Sequence, residues 1–366
     1  MKILNVITGL DYGGAERLLA NSAVELAKEH QLTTCYVKGT AALLPQLQKY
    51  STIIKLPTVK RVAFIEQLLQ SQNFDILHTH LPQADFLGMA ANRKLQIPAV
   101  CTLHNVAIWA NPADYAVYLL YRTLLHTIAK NWRVVGISKS VTKHAQRFLR
   151  IPPGRLSTIP NGIPEVISVN RNINRSKLGL QDNYTFLFVG RLTYQKGVDV
   201  LLHAFSVHAA ANKTDKLLIV GDGDKSTDLK KLAQQLGIAD QVRFCGATNT
   251  PATYFSAADC LVLPSRFEGF GLVILEAFQM KLPVIASNTE GPAELIQNGC
   301  NGLLVEPGNL VELANAMLKV KTNQELAHTL GHAGLSGFKQ LYSIKTYANT
   351  LESIYRDMLH NKKEQM

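Results

Sequence analysis

The chain has 366 residues, of which 47% are hydrophobic and 18% charged, proportions that exclude a disordered or fibrous polypeptide and leave enough apolar residues for two cores. No stretch approaches 18 uninterrupted apolar residues, and the opening apolar run meets Gly9 and Asp11 too early for a signal peptide, so a cytoplasmic protein is expected. The formal charge of +11 is uneven: residues 1–165 carry 18 Lys and Arg against 9 Asp and Glu, a net +9, which leaves +2 for the remainder. Such an excess suits nucleic acid, an anionic membrane face, a phosphorylated acceptor, or simply a soluble basic surface. The five cysteines, Cys35, Cys101, Cys245, Cys260 and Cys300, are odd in number and far apart. They read as free thiols in a reducing compartment, not as a disulfide or metal framework.

Residues 2–8 predict a buried strand, and a turn containing Gly9, Gly13 and Gly14 leads into an amphipathic helix reaching about residue 29. This is the first βα unit of a doubly wound sheet, whose ligands lie outside the carboxyl ends of the strands. The turn does not fit Gly-x-Gly-x-x-Gly, and the next strand, 33–37, ends in Lys38 where an acidic ribose partner would stand, so a dinucleotide fingerprint is absent. Strands at 53–54, 75–78 and 98–103 alternate with helices at 62–70, 84–94 and 113–129, which predicts a parallel sheet covered on both faces. His78-Thr79-His80 invites a metal reading, but no further ligand has a defined spacing; no metal is expected, and His80 is placed at a strand end. His104 follows the strand 99–103 at its ligand-facing edge, where its charge would change near neutral pH. Tyr115, Tyr118, Leu119, Tyr121, Arg122 and Leu125 read as a core-facing helical stripe in preference to a lipid-facing one. A strand at 133–136 precedes a helix capped by Ser138, and 156–160 leads into the turn Asn161-Gly162-Ile163-Pro164. The polar stretch 165–183 reads as a linker.

A second series begins with the strand 184–190, followed by Arg191 and Lys196 in a strand-to-helix loop. Two cations five apart can face one anion, Arg as a planar fork and Lys as a mobile point charge. Strands at 216–220, 241–245 and 260–263 follow; Gly221-Asp-Gly-Asp224 lacks the ligand spacing of a calcium loop. After Pro264-Ser265, Glu268 through Gly271 forms a glycine-hinged loop into a helix at 272–280. Its first N–H groups point outward with the positive end of the helix dipole and attract phosphate. Glu276 lies roughly 6–7 Å inside that helix, and its side chain leans back toward the start. A carboxylate there suits hydroxyls: a ribose diol for Glu276 and, on the other side of the phosphate seat, a sugar for Glu268. The ligand implied is a nucleotide diphosphate joined to a sugar. A strand at 284–286, a helix from residue 290 and a final helix at 344–360 complete the chain.

Glu268 and Glu276, seven residues apart inside Glu-Gly-Phe-Gly-Leu-Val-Ile-Leu-Glu, resemble the signature of the family-4 retaining glycosyltransferases. Gly-Gly-Ala-Glu-Arg at 13–17, Pro-Asn-Gly-Ile at 160–163 and Gly-Arg-Leu-x-x-x-Lys-Gly at 190–197 are similar to further elements of that family, in the expected order. The resemblance implies an α/β protein of GT-B fold: two Rossmann-like, doubly wound parallel-sheet domains facing a cleft. Residues 1–165 would form the acceptor-side domain, 166–343 the nucleotide-sugar-binding domain, and 344–366 a helix crossing back to the first. It implies donor contacts at Gly13, Gly14, Arg191, Lys196, Gly246, Phe270, Gly271, Leu272 and Glu276, with Gly246 at the strand end that holds the base. Glu16 joins the glycine loop, and catalytic roles fall to His104 and Glu268, both near the transferred sugar.

The reaction so implied is transfer of a sugar, with retention and without a metal or other cofactor, from a nucleotide sugar to a glycan or lipid-linked acceptor in surface polysaccharide assembly. Arg191, Lys196 and the helix start would stabilise the leaving diphosphate. The basic first half suggests peripheral contact with the anionic inner face of a membrane. Two alternatives remain at this stage: a sugar-nucleotide epimerase on the same scaffold, and a nucleic-acid-binding protein, against which stands the absence of a recognition helix, zinc site or aromatic RNA motif.

Overall fold

The structure, a computed structural model, describes residues 1–11, 13–104, 112–166, 169–180 and 182–364. Tyr12 of the glycine turn, Asn105 beside His104 and the side chain of Tyr115 lie outside that description. The chain divides into two units, Met1–Pro164 with Leu341–Met366, and Glu165–Gln340.

Among the described residues the first unit holds β1 (Lys2–Ile7), β2 (Gln31–Tyr36), β3 (Thr52–Lys55), β4 (Ile76–His80), β5 (Ala99–Leu103), β6 (Arg133–Gly136) and β7 (Leu156–Thr158). They form one parallel sheet in the order β3-β2-β1-β4-β5-β6-β7. Strands β4 and β5 are buried along their whole length, although β4 carries His78, Thr79 and His80, whose polar atoms need partners inside the fold. Alternate residues of β4 serve different partners. Thr79 faces helix Pro82–Asn92, where Asp85 is fully buried and accepts hydrogen bonds from Thr79 Oγ1 at 2.6 Å and Tyr121 Oη at 2.7 Å. Burial pushes the Asp85 carboxyl up to about 6 against the pull of those donors. Tyr118, Tyr121 and Leu125 of helix Pro112–Thr127 are buried as the stripe predicts, whereas Leu119 stays 41% exposed. Helix Ile344–Glu364 packs on helix Gly14–Leu26 of this same unit and buries Tyr347, Leu351 and Tyr355.

The second unit holds β8 (Thr185–Val189), β9 (Lys216–Val220), β10 (Val242–Gly246), β11 (Cys260–Leu263), β12 (Val284–Ser287) and β13 (Leu303–Val305). They pair in the order β10-β9-β8-β11-β12-β13, again parallel. Helix Val198–Ala211 is tied to helix Leu310–Thr322 through Asp215, which takes His208 Nε2 at 2.7 Å and Lys321 Nζ at 2.6 Å.

The stretch expected to be a bare linker departs from expectation. Residues Arg171–Lys177 form a helix whose Asn170 side chain accepts the Ile173 N–H at 3.1 Å. Arg171 donates to the Ser256 carbonyl at 3.0 Å and pairs with Asp259 at 2.5 Å, while Arg175 donates to the Ala257 carbonyl at 2.7 Å. Arg171 and Arg175 are therefore the anchors of this segment. The five cysteines are free; Cys35, Cys101 and Cys260 are buried and Cys300 is exposed. No helix among the described residues is long and apolar enough to cross a membrane.

Candidate active site

In the second sheet the chain winds outward in opposite directions from the neighbours β8 and β11. Loops leaving their carboxyl ends diverge there, and this reversal is where open α/β sheets bind ligands. The loop after β8 carries Arg191 and Lys196; the loop after β11 carries Glu268 to Gly271 and opens helix Leu272–Gln279. Two segments chosen from the sequence for independent reasons thus flank one switch point.

Their side chains meet. Lys196 Nζ contacts Glu268 Oε2 directly, with the two side chains 14% and 12% exposed. Ser265 Oγ lies 3.4 Å from the same carboxylate oxygen. The sequence assigns Lys196 to phosphate and Glu268 to sugar as separate elements; here they form one pair in which each offsets the other's charge. Arg191 is exposed on the same loop.

A second tie joins the two loops. Arg266 grips Asp199 in a fork, at 2.9 and 2.6 Å, donates to the Tyr194 carbonyl at 2.8 Å and stacks over the Tyr194 ring with Cζ 4.1 Å from its centroid. The Arg266 N–H reaches the Gln195 carbonyl at 2.8 Å, and Gln195 Nε2 reaches the Phe267 carbonyl at 3.0 Å. Hydrogen bonds from Arg266 hold the Asp199 carboxyl below its usual range, and Asp199 raises Arg266 in return. Arg266 and Asp199 escaped the sequence reading, although both adjoin the motifs it singled out. A cation two residues before Glu268 and an acid three after Lys196 were the available signal.

Helix Leu272–Gln279 starts at Gly271, whose φ of +91° no larger residue adopts without strain and which has no side chain to cap the first N–H groups. The backbone N–H groups at that helix start point outward. Phe270 is buried, Leu272 and Glu276 are half-buried, and Glu276 lies on the same helix. The loop is braced by the Gly291 N–H, which donates to the Glu268 carbonyl at 3.0 Å. Gly246 ends β10, exposed, and accepts from the Gly221 N–H at 2.8 Å.

The remaining expected residues stand in the first unit. Its switch point lies between β1 and β4. Gly13 caps helix Gly14–Leu26, with the Glu16 carboxylate where a side chain at 13 would stand, and Gly14 is exposed with open space beside it. Burial, aided by Asp11, raises the Glu16 carboxyl. His78, His80 and His104 form a cluster at the carboxyl ends of β4 and β5. His80 Nδ1 lies 3.2 Å from His104 Nε2, and the His78 and His80 rings are 4.1 Å apart between centroids. His78 is held by Tyr355 Oη at Nδ1, 2.6 Å, and by Thr102 Oγ1 at Nε2, 2.7 Å. Burial pushes His78 and His104 down to about 3 and His80 well below its ordinary value, so all three rings are neutral around pH 7. His104, expected to titrate near neutrality, is held as a hydrogen-bonding group instead. Leu81, next after His80, adopts φ +75°, a conformation costing about 1–3 kcal/mol of the kind that clusters at ligand sites. Among the described residues no three His, Cys, Asp or Glu side chains gather as a metal-binding group.

Comparisons with known proteins bear on the family and the fold. A family model described as "Glycosyltransferase Family 4" matches residues 12–165, and one described as "Glycosyl transferases group 1" matches residues 170–336. The UDP-Gal:alpha-D-GlcNAc-diphosphoundecaprenol alpha-1,3-galactosyltransferase of Escherichia coli is 29% identical over 349 residues, 92% of this chain and 89% of that protein. The N-acetyl-alpha-D-glucosaminyl L-malate synthase of Bacillus anthracis is 27% identical over 304 residues, 81% and 78% of the two chains. The crystal structure of Anabaena Alr3699/HepE in complex with UDP superposes with a TM-score of 0.86 at 22% identity, covering 98% of this chain and 100% of that one. With two Rossmann-like parallel sheets of GT-B type and both family models matched in order, the chain belongs to the family-4 glycosyltransferases.

Proposed function

We propose that the chain transfers a sugar from a UDP-sugar to a glycan or lipid-linked acceptor, with retention of anomeric configuration, in surface polysaccharide assembly. The observation that carries this reading is the meeting of the Lys196 and Glu268 loops beside an uncapped helix start at the second sheet's switch point. When the bond between anomeric carbon and phosphate breaks, negative charge accumulates on the leaving diphosphate. Arg191, Lys196 and the N–H groups at Leu272 stabilise it as it grows, without a metal ion in that role. Glu276 holds the ribose hydroxyls and Glu268 the donor sugar; Gly246 supplies backbone contact to the base. In the first unit, Gly13 and Gly14 open the helix after β1 and His104 follows β5, and these are the residues assigned to the acceptor side and the transferred sugar. The UDP and the lipid-linked acceptor are suggested by the name of the Escherichia coli relative.

Proton NMR of the chain incubated with UDP-sugars and candidate acceptors, in EDTA, tests donor, anomeric outcome and metal independence together. An α-linked product from an α-linked donor is expected. Arg191→Ala should lower turnover by about a hundredfold, since one charge-stabilising donor is worth on the order of 3 kcal/mol in the barrier; undiminished transfer would remove Arg191 from the site. Isomerised UDP-sugar without transfer would sink the whole reading in favour of epimerisation.

The proposed acceptor places the chain at an anionic membrane face. Val117, Leu119, Leu120 and Phe148 are 41–52% exposed, Arg147 lies 5.2 Å over the Phe148 ring, and Tyr118 Oη donates to the Phe148 carbonyl, just after helix Lys139–Arg147 with its exposed Lys143. Exposed apolar side chains accompanied by cations suit an anionic bilayer surface. Co-sedimentation with vesicles containing anionic phospholipid, weakened in Leu120→Glu, is expected; equal binding to neutral vesicles would count against it.

A further inference from the structure

We infer that His80 is a positioning residue that sets the tautomer of His104, so that the ring at the edge of the first sheet carries its proton on Nδ1 and presents that N–H to a substrate oxygen. The inference rests on the glycosyl-transfer reading and adds a residue to it. Of the two nitrogens of His80, Nδ1 faces His104 Nε2 at 3.2 Å, and Nε2 is buried without a hydrogen-bond partner among the described residues. His78, packed beside it with its ring tilted, cannot serve Nε2, because its own nitrogens are engaged by Tyr355 and Thr102.

A neutral imidazole has one N–H and one bare nitrogen. If His80 carried its proton on Nε2, that N–H would be buried with nothing to receive it, and an orphaned buried donor is the costlier and rarer arrangement. The proton therefore sits on Nδ1 and is donated to His104 Nε2. Once His104 Nε2 accepts, its own proton must be on Nδ1, the ring nitrogen left for a ligand. Tyr355 closes the chain of support: from helix Ile344–Glu364 its hydroxyl fixes His78, and His78, packed beside His80 with 35° between ring planes, holds that ring in place. Leu81, at φ +75°, sets the backbone just beyond it.

The test uses the whole chain with 15N-labelled histidine, read by long-range 1H–15N correlation around each imidazole, with His104 identified by its loss in His104→Ala. The wild-type His104 signal is expected to show the Nδ1–H pattern. His80→Asn, whose amide N–H can stand where Nδ1–H stood, should keep both that pattern and most of the turnover. His80→Leu should shift His104 toward Nε2–H and lower kcat about tenfold, the loss of one neutral hydrogen bond in the transition state, with KM for the nucleotide sugar within twofold. An Nε2–H pattern in the wild type overturns the inference without any variant, so a misfolded His80→Leu does not shelter it. A Leu variant in which either the His104 pattern or kcat stays at the wild-type value overturns it as well. Should the wild type transfer no sugar at all, the functional reading fails while the spectrum still decides the His80–His104 bond.

Discussion

Replacing Lys196 by alanine is expected to lower turnover by roughly 10²–10³-fold, more than the loss of Arg191, because two effects act in the same direction. The ammonium that would meet the leaving diphosphate is gone, and Glu268, 12% exposed and contacted by Lys196 in the native pair, is left as an uncompensated carboxylate in the loop before the helix start proposed to bind the diphosphate. Removing one partner of a well-buried pair exposes the cost of the other charge, and here that cost falls on the bound diphosphate as repulsion. A double-mutant cycle separates the two contributions. If the pair acts as a unit, Lys196→Ala made in a Glu268→Gln background should cost less than in the wild type, with a coupling of about 1–3 kcal/mol. The measurement is UDP affinity by calorimetry alongside kcat. Effects that simply multiply would mean that Lys196 and Glu268 address the ligand independently, as the sequence alone suggested, and that their contact is incidental.

The difference between those two accounts marks the limit of what the sequence discloses. Buried parallel strands announce themselves because both faces are apolar, and β8, β9 and β11 were legible for that reason. The short β13, Leu303–Val305, and the helices Leu310–Thr322 and Gln324–Gly337 had no counterpart among the predicted elements. Three residues give too little periodicity to score. Helix Arg171–Lys177 was hidden because Arg-Asn-Ile-Asn-Arg-Ser-Lys has one apolar side chain, Ile173, and that one is 51% exposed; its stability comes from arginines reaching carbonyls some 80 residues away in sequence, such as Arg171 to Ser256.

The site follows the same division. Loops bearing Arg191, Lys196 and Glu268 could be placed at strand ends from the sequence, because topology puts all strand-to-helix loops on one edge. Which charge touches which could not. Lys196 pairs with a residue 72 positions on and Asp199 with one 67 on, and charge signs alone allow several other matches. His78 and His80 were recognisable as sharing a strand face, yet the hydroxyl that fixes His78 comes from Tyr355, 277 residues away. Pairwise contacts of that range depend on packing that no local pattern encodes.

Gly221→Ala is expected to cost the second unit about 3 kcal/mol or more, because the backbone segments leaving β8 and β9 approach each other there with no room for a methyl group. A Cβ at 221 would stand 1.9 Å from the Gly190 carbonyl oxygen, and the residue itself holds φ +133°, outside the range open to alanine without strain. Strain of that kind costs about 1–3 kcal/mol, and forcing a methyl into a packed contact adds a similar amount. The two terms share a remedy, a shift of Gly190, and Gly190 precedes Arg191. Its N–H donates to the Val220 carbonyl at 3.0 Å, and Gly221 N–H to Gly246 at 2.8 Å, so displacement would spread to both neighbouring strand ends. The variant should therefore lose thermal stability, by roughly 6–12 °C if the unit unfolds as a domain of its size, and bind UDP more weakly in the fraction that remains folded. Gly337→Ala is the control, since a methyl there meets nothing within 4 Å and the residue ends helix Gln324–Gly337; it should melt like the wild type or slightly above it. A Gly221→Ala protein that melts with the control would mean that the ends of β8 and β9 do not approach as closely as described, and Arg191 would lose the support that aims it.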